Sequence, residues 1–224
     1  MKKIFKLFSL VILIGGGVSA QSSKTDLSLK VSAAAAANRA QLKNYTWTRT
    51  VQVFISGELK TTTVSALSIG PDGNIVTTAV SSVSADPPPT RGIRGKIAEG
   101  KIDDMKTYVE TAVKTSVGYI YMSKGKMVDY FDAAGISQTG NTIVVSGSNV
   151  LNQNDQVTMN LATGSLAFIS ETFKSTASGD AISGTVNYKT FSNGLTAIDS
   201  GELDLPAKNM KIMFSNTNYA QKLQ

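Results

Sequence analysis

The chain has neither cysteine nor histidine among its 224 residues. Without them no Ser-His-Asp or Cys-His catalytic arrangement can form, nor a zinc site with the usual nitrogen and sulfur ligands. Disulfides are excluded as well, so a hydrophobic core must supply the stability. Lipid attachment at an N-terminal cleavage site also needs a cysteine and is excluded with the rest. The remaining chemistry is that of carboxylates, lysine and tyrosine, or of calcium on oxygen ligands. Nothing in the composition asks for a cofactor.

Long apolar runs are equally scarce. The one that stands out opens the chain, in "MKKIFKLFSLVILIGGGVSAQSS". Lys2, Lys3 and Lys6 form a basic start, Leu7 to Ile14 an apolar run, and Val18-Ser19-Ala20 a small-x-small site. This three-part pattern predicts a secretory signal peptide over residues 1–20, cut before Gln21. The run is shorter than the roughly 20 residues a membrane span needs. A single soluble domain over 21–224 is expected to follow, periplasmic or secreted, and not membrane-spanning once the signal is cleaved. Excess charge is modest too. Removing the three lysines of the first segment leaves 19 basic against 16 acidic residues, a net +3. That is too little to argue for nucleic acid, which draws on many clustered cations.

The hydrophobic period then sorts the chain into elements. Thr25 or Asp26 offers a helix cap, Leu27, Val31, Ala34 and Leu42 share a thin stripe, and the alanines of 33–37 favour helix. From Tyr45 the period becomes 2. In "YTWTRTVQVFIS" Trp47, Val51, Val53 and Ile55 alternate with polar residues, and two further strands follow across Gly57-Glu58 and "GPDGN". The stretch 82–96 predicts an exposed, proline-rich and basic loop. Ile102, Met105, Val109, Ala112, Val113 and Ile120 then predict a helix over about 97–121, and "MVDYFDAAG" a shorter one. Six more strands follow, with Asn193-Gly194 as the strongest hairpin signal. The expected fold is α+β: about nine antiparallel strands in a strongly curved half-barrel, an N-terminal helix, and an inserted helical lid over the concave face.

Three groups of residues are candidates for function. The first is "RGIRGK", with Arg91, Arg94 and Lys96. Its glycine spacing is wrong for a phosphate-binding loop and its flanking elements do not suit an RNA-binding one. It is either a loop-to-helix junction or a contact for an anionic headgroup or acidic partner. The second is Met105, Val109 and Val113 facing Trp47, Val51 and Val53. These either pack as core or leave space between helix and sheet for an apolar ligand. The third comprises acids. Asp199, Glu202 and Asp204 offer calcium ligands or a charged strand edge. Glu171, among apolar neighbours, is either an inward carboxyl raised by desolvation or, one register away, an acid in water.

In its order of elements the chain resembles the LolA/LolB type of half-barrel, over most of residues 27–219. The end of "GTVNYKTFSNGLTAIDSGELDLPAKNMKIMFSNTNYAQ" is similar to that family's last strands: a hairpin, a proline, and a final strand closing near Asn216 to Tyr219. The resemblance implies an envelope protein that binds or carries an acyl chain or lipid without catalysis. It also implies a lid-closing arginine, for which Arg49 is the candidate. The alternative is an interaction module for an envelope protein partner.

Overall fold

The computed structural model describes residues 17–84 and 93–222, with side chains over 23–83 and 104–222. Helix α1 (Gly17–Leu42) precedes strands β1 (Tyr45–Ile55), β2 (Glu58–Ile69) and β3 (Ile75–Ser84). Helices α2 (Ile93–Ile120) and α3 (Lys124–Ala133) come next. Seven strands complete the chain: β4 (Gly135–Thr139), β5 (Thr142–Ser148), β6 (Gln156–Ala162), β7 (Phe168–Ala177), β8 (Asp180–Thr190), β9 (Thr196–Leu205) and β10 (Met210–Gln221). All ten form one antiparallel sheet in the order β3-β2-β1-β10-β9-β8-β7-β6-β5-β4. The sheet is curved and unclosed, and with its helices makes an α+β half-barrel.

Several expectations need correction. Among the described residues there are ten strands rather than nine, because β4 is short and polar and shows no alternation. Helix α1 begins at Gly17, ahead of both expected caps, and the Thr25 hydroxyl donates to Asp132 Oδ1 (2.8 Å). Helix α2 begins at Ile93, not near 97, and β3 runs on through Ser84, so both ends of the expected 82–96 loop are regular structure. Two-residue hairpins join β1 to β2 at Ser56-Gly57, β4 to β5 at Gly140-Asn141 and β7 to β8 at Ser178-Gly179; in the first and last both residues have positive φ, as the twisted strands require. Asn193-Gly194 belongs instead to a wider turn from Phe191 to Leu195.

The concave face carries the core. Along β1 the odd residues face inward, with Trp47 buried and Val51, Val53 and Ile55 half-buried. Helix α2 lies on β7 and β8, where Tyr119 stacks on Phe173 (4.7 Å between centroids). That ring lies over Gly184, where a Cβ would come within 2.5 Å of it. Helix α3 is anchored through the Tyr130 hydroxyl, which reaches the carbonyls of Val145 (2.7 Å) and Val157 (3.0 Å). Helix α1 packs on α3 and is tied to β9 by Asn38. The Asn38 side chain donates to Thr196 O (2.6 Å) and accepts from Thr196 N (2.7 Å). Away from that clamp α1 buries little, as its thin stripe foretold: Val31 is its one fully buried large side chain among the described residues.

Candidate functional site

Beneath α1 the half-barrel is not filled. A cavity of about 360 Å³ lies between α1, the end of α2, and the concave face. Ala34, Ala35 and Ala36 line it from α1. Trp47, Ile69, Tyr121, Phe168 and Tyr188 are among the residues opposite. The lining runs along α1 from Ser32 to Leu42. At 1.5 Å per residue that is a slot about 15 Å long. Its volume lies within the roughly 300–1,000 Å³ range of small-molecule pockets. Its charged lining residues, Arg39 and Lys124, are both cationic.

At the Leu42 end, Trp47 stacks on Tyr219 (5.7 Å, 17° between planes) and packs with Leu67 and Ile69. Arg49 lies two residues along the same face. Its Nε donates to Asn216 Oδ1 (2.8 Å), and its guanidinium sits over the Phe214 ring (5.1 Å). Asn216 and Tyr219 both donate to Ile198 O (2.9 and 2.6 Å), which fixes the end of β10 against β9. Burial pushes the Tyr121 hydroxyl up, and the neighbouring Arg49 and Arg39 partly oppose this. Arg49 thus meets Tyr121, just past the end of α2.

Beside Tyr188 of the lining, but not itself on it, lies Glu171. It is 1% exposed, and neither carboxylate oxygen has a hydrogen-bond partner among the described residues. Desolvation pushes its carboxyl up to about 8. The Tyr188 hydroxyl is close enough to favour the charged form slightly, but not in hydrogen-bond geometry. Tyr188 in turn is pushed far up by burial and by Glu171. Of the two sequence readings for this acid, the inward one holds. A bulge opposite Asn160 and Leu161 decides which neighbours share its face: Phe168 turns in, while Ile169 is left 41% exposed.

Of the residues expected to hold an apolar ligand, only Trp47 lines the cavity. Val51, Val53, Met105 and Val109 pack half-buried against the main core. Val113 is exposed on α2, four residues before the equally exposed Val117. Arg91 lies outside the described residues, as do the side chains of Arg94 and Lys96 on the first turn of α2. The calcium reading gives way to ion pairs. Lys211 Nζ lies 3.3 Å from Glu202 and 3.4 Å from Asp204 across the β9–β10 ladder. Among the described residues no group of three or more acids converges as a cation site. Sequence reasoning missed the cavity's alanine wall, although the run 33–37 was visible, because propensity explains alanine in a helix without reference to space.

No protein-family model and no curated protein matches the chain. Its structure is similar to the crystal structure of a DUF1329 family protein from Desulfovibrio piger. The TM-score is 0.42 and the identity 6%, over 90% of this chain and 93% of that one. This likeness is too slight to rest a function on. No helix among the described residues is long and apolar enough to cross a membrane.

Proposed function

We propose that this is an exported envelope protein that binds an acyl chain or similar apolar ligand in the slot beneath α1, and does so without catalysis. The observation that carries the reading is the cavity itself: an apolar space of about 360 Å³ inside a half-barrel, roofed by alanines. Burying a chain there at ~25 cal/mol per Å² of apolar area drives binding with no reactive group. The N-terminal basic-apolar-small pattern supports export, and the order of elements supports a distant relation to the LolA/LolB half-barrels. The test is titration of a fluorescent fatty acid into the protein and into Ala35→Trp, whose indole fills the slot from the roof. Saturable binding that Ala35→Trp abolishes, with its melting temperature retained, supports the reading. Equal binding to both proteins overturns it.

One observation favours an interaction module instead. Strand β3 is a sheet edge of ten residues with no charged side chain, and Val76, Val80 and Val83 are exposed on it. Edges without charge or proline invite strand addition. A concentration-dependent oligomer disrupted by Val80→Lys, together with no fatty-acid uptake, would favour that reading.

A further inference from the structure

The slot carries charge of one sign. Its lining includes the cations Arg39 and Lys124 and no acid. Both are exposed as well as on the lining, so they stand where the slot opens to solvent. Among the described residues neither has an ion-pair partner. Arg39 belongs to the last turn of α1, at the Leu42 end of the slot. Its guanidinium lies over the Tyr121 ring (5.4 Å), and its Nη2 donates to Gly73 O (2.8 Å). These contacts hold the group in place and leave its charge uncompensated. Asp72, beside Gly73 in the chain, does not pair with it, because the Asp72 oxygens accept from Asn74 N (3.0 Å) and Nδ2 (2.7 Å). A second guanidinium, that of Arg49, reaches Tyr121 from β1. Arg49 is not on the lining, and its partners Asn216 and Phe214 again include no acid. Asp199 acts on Tyr219 and not on Tyr121. Two guanidinium groups thus flank one tyrosine of the lining, and neither is paired with a carboxylate.

We propose that the Arg39 end of the slot receives an anionic oxygen head, a carboxylate or phosphate, so that the ligand is an anionic amphiphile whose tail runs toward Ser32. This rests on the reading of the slot as an acyl-chain site and specifies the charge and direction of what it holds. A guanidinium presents its N–H donors as a planar fork that fits two oxygens of a carboxylate or phosphate at once. Holding that fork over Tyr121 before the ligand arrives reduces the ordering lost on binding. Two like charges near one another raise the energy of the empty protein, and an anion between them lowers it. A neutral head gains none of this, and a cationic one is repelled. The apolar wall supplies affinity for the tail, while the cations discriminate among heads.

The test holds the tail constant and varies the head: dodecanoate, dodecyl phosphate, 1-dodecanol and dodecyltrimethylammonium, each below its micelle concentration and followed by titration calorimetry. At least one of the two anions is expected to bind about tenfold more tightly than dodecanol, with the ammonium weakest. That preference should shrink between about 20 mM and about 500 mM salt, as the Debye length falls, while dodecanol binding does not weaken. Arg39→Gln should bring both anions to within about threefold of dodecanol and leave dodecanol itself unchanged, which also shows that the variant is folded. If dodecanol binding is lost as well, Arg39→Met, which keeps an apolar stem against Tyr121, is measured in its place. Tighter binding of dodecanoate identifies a free fatty-acid head and tighter binding of dodecyl phosphate a phospholipid-like one, and either order supports the site. Dodecanol bound as tightly as both anions, or an anion preference kept in Arg39→Gln and lost in Lys124→Gln, overturns the assignment while the slot reading stands. Failure of all four ligands to bind overturns both.

Discussion

Asp155 and Glu171 are acids with almost no exposure, and their surroundings drive them in opposite directions. Burial pushes Asp155 up, but the backbone N–H groups of Asn152, Val150 and Leu151 (2.7–2.8 Å) and the Tyr119 hydroxyl (2.8 Å) hold it below the usual carboxylate value. Its acceptor pairs with Tyr119, whose own hydroxyl is pushed up to about 12, first by burial. Asp155→Ala leaves three backbone donors without an acceptor, and is expected to cost about 3 kcal/mol or more in urea unfolding. A loss below 1 kcal/mol would mean that water takes over its role. Glu171 has no such donors, so the folded state keeps a proton that the unfolded chain gives up near its ordinary value of 4.5. The contribution is fully present below that pH and is lost as pH rises to about 8, at a slope of roughly 1.4 kcal/mol per unit. Glu171→Gln should remove this part of the stability profile between pH 5 and pH 8. A variant with the wild-type slope would place the charge elsewhere.

At the scale of elements, α1 depends on a clamp at one end and α3 at the other. Asn38→Ala removes both bonds to Thr196, and is expected to speed amide exchange across residues 33–42 while β6 and β7 keep their protection. Unchanged exchange there would show that Val31 and Leu27 suffice to hold the helix down. Most elements were legible because period 2 and period 3.6 are written in the sequence, as in Val157, Met159 and Leu161 of β6 or Met105, Val109 and Ala112 of α2. The misses have local causes. Gly135–Thr139 carries no alternation because it is a short, exposed edge. Ile169 points outward because a bulge, invisible in hydrophobic pattern, shifts the parity of β7. Asp155 gives no signal in the sequence, since an acid that organises a loop has the same composition as one that merely decorates it.

For the whole molecule, the half-barrel with a helical cover was readable, but the place of its empty space was not. The expected ligand residues Val51, Val53, Met105 and Val109 are core because α2 settles onto β7 and β8. The space lies instead under α1, where alanines meet Trp47, Phe168 and Tyr188 across the sheet. Volume left between two surfaces depends on how far each side chain reaches, which no periodicity records. The most direct measurement is mass spectrometry of the protein purified from an exporting host, recorded under native conditions and again after solvent extraction. The account predicts a bound acyl species in near-stoichiometric amount, released by solvent and missing from Ala35→Trp. A clean apo mass, with no uptake when fatty acid or ester is added, would contradict it.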